Sequence, residues 1–191
     1  MTRVIAFSWP GNTQKSSLIN GHYEWEDLIK PGIGKILLDQ GKSVKIYDET
    51  ARGAFDILKE QWLQKFQEQI FIDECVRVGD ILKDIREETF DVILIDRTFH
   101  DNFVYTLHNY LHNKIDSISH LRDINEDIYD DVILLNRPTK SDSKEEFDTY
   151  NTPEFHKFFE EEITAKFKDK VRVFANGKED WKRIFDYIKE S

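Results

Sequence analysis

The sequence predicts a three-layer α/β fold with a mainly parallel five-stranded sheet and helices on both faces. Short β-branched runs recur at 3–8, 43–47, 91–95, 131–135 and 171–175. Longer segments with helical periodicity separate them, the alternation expected of parallel strands joined by crossover helices. The Val-Ile-Leu-Ile run at 92–95 and the Val-Ile-Leu-Leu run at 132–135 are apolar without alternation. Strands covered on both faces read this way, so these two belong inside the sheet. At 191 residues the chain fits one core, given about 150 residues per domain, and 1–191 is expected to form a single domain.

Each element has its own signal. The first strand, Val4-Ile5-Ala6-Phe7, runs through Ser8, Trp9, Pro10 and Gly11 into a helix start near Leu18. Pro31, Gly32 and Gly34 interrupt that helix, so 20–34 reads as an excursion before 33–40 resumes. After the second strand, 51–88 is helical, in one piece or two. Phe55, Leu58, Trp62, Phe66 and Ile70 lie three or four residues apart on one stripe that reads as core. From 103 to 129 the pattern is helical but polar. The segment 137–153, with Pro138 and the run Thr139-Lys140-Ser141-Asp142-Ser143-Lys144, is expected to be a loop directly after the fourth strand. Past the fifth strand, Asn176-Gly177-Lys178 reads as a turn. The last helix, 180–189, puts Trp181, Ile184, Phe185 and Ile188 on one face.

Composition narrows the function. With 27 basic and 37 acidic residues the formal charge is -10, which argues against a passive grip on duplex nucleic acid. A hydrophobic content of 39% with 14 Phe is too apolar for a disordered chain. Cys75 is the only cysteine, so no internal disulfide and no cysteine-built metal site can form. No apolar run approaches the roughly 20 residues of a membrane span, and the apolar stretch at the start is too short for a signal peptide. A cytoplasmic protein is expected. His108 and His112 have the i,i+4 spacing of two metal ligands but lack an intervening H-E-x-x-H glutamate and a third ligand, so they read as a solvated helix face.

The segment after the first strand carries the clearest chemistry. Pro10, Gly11, Asn12, Thr13, Gln14, Lys15, Ser16 and Ser17 occupy the strand-to-helix turn where a loop of the G-x-x-x-x-G-K-[ST] type binds phosphates. Such a loop surrounds phosphates with backbone N–H groups and aims a helix N-terminus at them. Lys15 and Ser16 fit its last two positions: the lysine would reach the β/γ-phosphates and the serine hydroxyl would bind Mg²⁺. The two motif glycines fall on Trp9 and Gln14. Further along, the second strand ends in Asp48-Glu49-Thr50-Ala51-Arg52 and the third in Asp96-Arg97-Thr98-Phe99-His100-Asp101. Both place charged groups at the carboxyl ends of parallel strands, the rim where open α/β sheets bind ligands. An acid there can hold Mg²⁺ or take a proton from a hydroxyl, and Asp96, directly after a buried-looking run, suits the metal.

Strand and phosphate loop, a strand ending Glu-x-Ala-Arg, a strand ending Asp-Arg-x-x-x-Asp and a strand entering a basic loop together resemble the P-loop nucleoside and nucleotide kinases. Within them the resemblance is to the compact ATPase/kinase-like branch common in bacteria and phages, which also holds nicotinamide riboside kinase-type domains. It covers nearly the whole chain in element order. It implies a P-loop NTPase-like fold, ATP and Mg²⁺ as cofactors, and transfer of a phosphoryl group to a nucleoside, a nucleotide or a related small alcohol. By the same resemblance Glu49 contacts the acceptor and acts as base, with Asp48, Arg52, Arg97 and Asp101 also binding substrate. Asp96 and Arg97 serve metal and substrate, and 137–153 becomes a lid whose Arg137, Lys140 and Lys144 neutralise the transferring group. A homodimer is compatible with it. Two alternatives stay open: a catalytically degenerate P-loop protein binding a nucleotide or a partner protein, motivated by Trp9 and Gln14, and a phage-type kinase acting on a DNA end or modified base, with Lys140, Lys144, Lys166, Lys168 and Lys170 as a local basic edge.

Overall fold

A computed structural model describes residues 1–8, 10, 18–19, 32–50, 63–121, 127–135, 150, 152–175 and 178–190. The expectations for residues 11–17, Arg52, Arg137, the loop through residue 149 and the Asn176-Gly177 turn lie outside them. Five parallel strands, β1 (Arg3–Ser8), β2 (Val44–Tyr47), β3 (Val92–Asp96), β4 (Asp131–Leu135) and β5 (Val171–Phe174), form one sheet in the order β2-β3-β1-β4-β5. They fall within a residue or two of the β-branched runs. The two continuous apolar runs, β3 and β4, flank β1 in the interior of the sheet.

Because side chains alternate across a strand, each interior strand feeds both layers. Ile5, Phe7, Leu94 and Ile133 meet helices α1 (Ile33–Asp39) and α5 (Lys178–Glu190) through Ile33, Leu37, Trp181, Ile184, Phe185 and Ile188. On the other face Val4, Ala6, Ile93, Ile95, Val132 and Leu134 meet α2 (Leu63–Glu87), α3 (Phe99–Leu111) and α4 (Pro153–Phe167). This is the three-layer α/β arrangement the sequence predicts. No helix among the described residues is long and apolar enough to cross a membrane.

Three local readings need correction. The helix expected over 103–129 is α3: it starts earlier because Thr98 caps it, and it ends at Leu111. Its polar residues misled the reading, since Asp101, Asn102, Thr106 and Asn109 are buried. Gly34 is not a breaker but a buried residue within α1, where an added Cβ would come within 2.8 Å of Ile46 Cδ1; α1 packs that closely on β2 because no side chain intervenes. The solvated face expected at His108 and His112 holds only for His112, which is exposed: the His108 ring is partly buried and lies 4.7 Å from that of Phe155. Burial pushes its pKa down to about 4, with His112 and Lys114 adding to the shift.

Candidate active site

The carboxyl rim of the sheet is assembled from the ends of β1, β2 and β3. In register, Phe7 of β1 lies beside Asp96 of β3, and the Arg97 backbone N–H donates to the Phe7 carbonyl at 2.9 Å. Asp96 therefore stands next to the point where the chain leaves β1 for the expected phosphate loop, and it is 1% exposed. Ser8, the last residue of β1, donates from Oγ to Asp101 Oδ1 at 2.7 Å. Asp101 is fully buried, and the same oxygen accepts from Thr98 Oγ1 at 2.5 Å. In return the Asp101 N–H donates to Thr98 Oγ1 at 3.1 Å. This reciprocal cap fixes the N-terminus of α3 and ties it to the end of β1.

Glu49 and Arg97 meet across the gap between β2 and β3, with Arg97 Nε 2.6 Å from Glu49 Oε1. The guanidinium also lies over the Tyr105 ring, 5.1 Å from its centroid. Burial works against the Arg97 charge, but Glu49 and Tyr105 more than offset it, and the guanidinium pKa is raised. Arg97 holds φ +78°, a left-handed conformation that costs a side-chain-bearing residue about 1–3 kcal/mol and persists only where the surroundings fix it.

What fixes it comes from α2, and sequence reasoning missed it. Arg77 Nη1 donates to the carbonyls of Asp48 at 3.1 Å and Asp96 at 2.9 Å, while Nη2 donates to the Arg97 carbonyl at 2.8 Å. Glu74, one turn earlier on α2, pairs with Arg77 Nη2 at 2.5 Å and accepts from Thr50 Oγ1 at 2.5 Å. Burial raises the Glu74 pKa, with Arg77 and Thr50 opposing the shift. The signal was in the spacing: Glu74 continues the Phe66, Ile70 stripe at i+4, and Arg77 follows at i+3. Charged residues at core positions of an amphipathic helix call for buried partners.

A second missed set lies deeper. Thr106 of α3 donates to Gln67 Oε1 of α2 at 2.9 Å, and Tyr150 donates to Asn109 Oδ1 at 2.7 Å. Gln67, Asn102, Thr106 and Asn109 thus make a buried polar layer between the two helices.

Of the residues singled out from sequence, the structure brings Glu49, Asp96, Arg97 and Asp101 to one rim, with Asp48 engaged there through its carbonyl. Pro10 is buried at the exit from β1. Lys166, Lys168 and Lys170 precede β5, at the opposite edge of the parallel sheet, and Lys170 pairs with Asp127 at 2.5 Å. A basic edge there is remote from Glu49 and Asp96. The donors on the rim are hard oxygens, the chemistry Mg²⁺ takes. Among the described residues no three His, Cys, Asp or Glu side chains form a metal cage.

No family model and no curated protein sequence matches the chain. Among solved structures it is similar to a deoxyadenosine kinase from M. mycoides with bound dATP, with a TM-score of 0.60 and 16% sequence identity over 98% of this chain and 99% of that one. The likeness shows a shared fold, the three-layer α/β arrangement described above.

Proposed function

We propose that the chain is an ATP-dependent phosphotransferase acting on a nucleoside, a nucleotide or a related small alcohol. The observation that carries the reading is the Glu49–Arg97 pair at 2.6 Å on the carboxyl rim, in a sheet whose neighbouring strand end holds Asp96 beside the exit from β1. The solved kinase of the same fold has bound dATP, which supports a nucleotide ligand.

In this reading residues 10–17 cradle the triphosphate of ATP, with Lys15 on the β/γ-phosphates. Ser16 and Asp96 hold Mg²⁺, which supplies charge neutralisation on the phosphates when bound. Glu49 accepts the proton of the acceptor hydroxyl, directed by Arg97, which also holds the acceptor or its phosphate. Asp48 and Arg52 complete the acceptor side, and Asp101 acts from behind by holding Ser8 and the start of α3. Arg137, in a lid over 137–153, adds positive charge at the transferring group. Residues 1–191 work as one domain.

The test is transfer of labelled γ-phosphate from Mg-ATP to a panel of ribo- and deoxyribonucleosides and their monophosphates. Labelled product with at least one acceptor is expected, and release of phosphate to water alone would overturn the reading. A second reading, a nucleotide-binding protein without transfer, is favoured by Trp9 and Gln14 at the motif-glycine positions. Gln14→Gly separates the two: a large gain in nucleotide affinity indicates a degraded loop, and a loss indicates a working, altered one.

A further inference from the structure

The carbonyls of Asp48, Asp96 and Arg97 project where β2 and β3 end, beyond the paired registers of Val44–Tyr47 and its neighbours. One planar guanidinium reaches all three, at 3.1, 2.9 and 2.8 Å. A guanidinium presents its donors in a fixed fork, so three acceptors on two strand ends are held at set separations; the single flexible ammonium of lysine cannot do this. Glu74 closes the arrangement through Thr50. Glu49 is therefore bracketed, with Asp48 attached to Arg77 on one side and Thr50 attached to Glu74 on the other. Arg97 is attached through its own carbonyl, at the residue whose φ of +78° needs support.

The Arg77 and Glu74 side chains are only 6% and 4% exposed. A buried pair of charges is costly to desolvate, and stability alone is served as well by apolar residues of the same size. An apolar helix face would forgo all three of these hydrogen bonds and leave the Glu49–Arg97 separation free.

We propose that Arg77, with Glu74 as its counter-ion, is a positioning residue that sets the separation of Glu49 and Arg97 across the ends of β2 and β3. The functional meaning of this rests on the reading of Glu49 and Arg97 as the acceptor-side pair; the positioning itself does not. Neither residue touches the reacting atoms, so the effect on transfer is indirect.

The experiment uses the full chain, labelled with ¹⁵N, as wild type, Arg77→Lys and Thr50→Val. The Arg97 Nε–H resonance, assigned by its disappearance in Arg97→Lys, reports the pair with Glu49 directly. Arg77→Lys is expected to move that resonance, whose nitrogen lies 2.6 Å from Glu49 Oε1, and to speed its exchange with water at least tenfold. In the transfer assay the same variant lowers kcat tenfold or more while KM for ATP stays within twofold. Thr50→Val, which removes one hydroxyl and leaves both charges in place, gives a smaller acceleration of the same exchange and guards against a failure of Arg77→Lys to fold. An unchanged Arg97 Nε–H signal in either folded variant, with only the melting temperature lowered, overturns the proposal. Absence of transfer by wild type counts against the proposed function alone, because the resonance judges the positioning without substrate.

Discussion

Two arginines at opposite edges of the sheet make ion pairs of nearly the same length and burial. At the amino edge Arg3 Nη2 lies 2.7 Å from Asp131 Oδ2, with side chains 19% and 11% exposed. At the carboxyl edge Arg97 and Glu49 lie 2.6 Å apart, with side chains 17% and 11% exposed. Their settings differ. Arg3 sits within a regular strand, donates also to the Ile188 carbonyl at 3.3 Å, and shares Asp131 with the Tyr187 hydroxyl. That pair stitches β1 and β4 to α5. Arg97 sits just past a strand, in a left-handed conformation propped by Arg77. Strain held in place by neighbours marks functional positions more than structural ones. The same pair of charges thus serves cohesion at one edge and, on the proposed function, chemistry at the other.

Substitutions at the two edges break or sharpen this contrast. The largest effect is expected from Glu49→Gln, which keeps the shape and removes the carboxylate that the proposed function makes the base: transfer by the folded variant should fall by about 100-fold or more, measured by initial rates, even though leaving Arg97 without its anion also lowers the melting temperature. Arg97→Gly comes next. It deletes the guanidinium but lets the backbone adopt φ +78° freely, so stability by denaturant titration should stay within ~1 kcal/mol of wild type while acceptor binding is lost. Arg3→Ala should do the reverse: it leaves Asp131 partly buried without its cation, lowers stability by about 2–3 kcal/mol and leaves transfer rates within twofold. If Arg97→Gly unfolds the protein and Arg3→Ala abolishes transfer, the contrast is wrong.

The smallest effect concerns His108, which belongs to neither pair. Its folded pKa of about 4 lies below the ordinary 6.5, so the unfolded state binds more protons between those values. Stability should therefore be lost as pH falls from 6.5 towards 4, and His108→Asn should flatten that part of the melting-temperature profile.

The contrast also shows what a sequence discloses. The strands were legible because β-branched runs have few other uses, and Glu49, Asp96 and Arg97 were legible because they end such runs. Arg77 and Glu74 were not: on a helix a charged pair at i,i+3 reads as solvent-facing until the stripe it interrupts is known to be core. Asn102, Thr106 and Asn109 hid α3 in the same way, since polar residues at core spacing imitate an exposed face. Buried polar residues depend on partners far along the chain, as Thr106 depends on Gln67, and pairings of that kind leave no local pattern.

On the proposed function the carboxyl edge binds a nucleoside triphosphate and the amino edge does not contribute. Calorimetric titration of Mg-ATP into wild type, Lys15→Ala and Arg3→Ala tests it most directly. Removing the charge-assisted contact of Lys15 should weaken binding by about 1.5–3 kcal/mol, or roughly ten- to hundredfold, while Arg3→Ala binds as wild type does. Equal affinity in wild type and Lys15→Ala, or no heat of binding in wild type, would contradict the account.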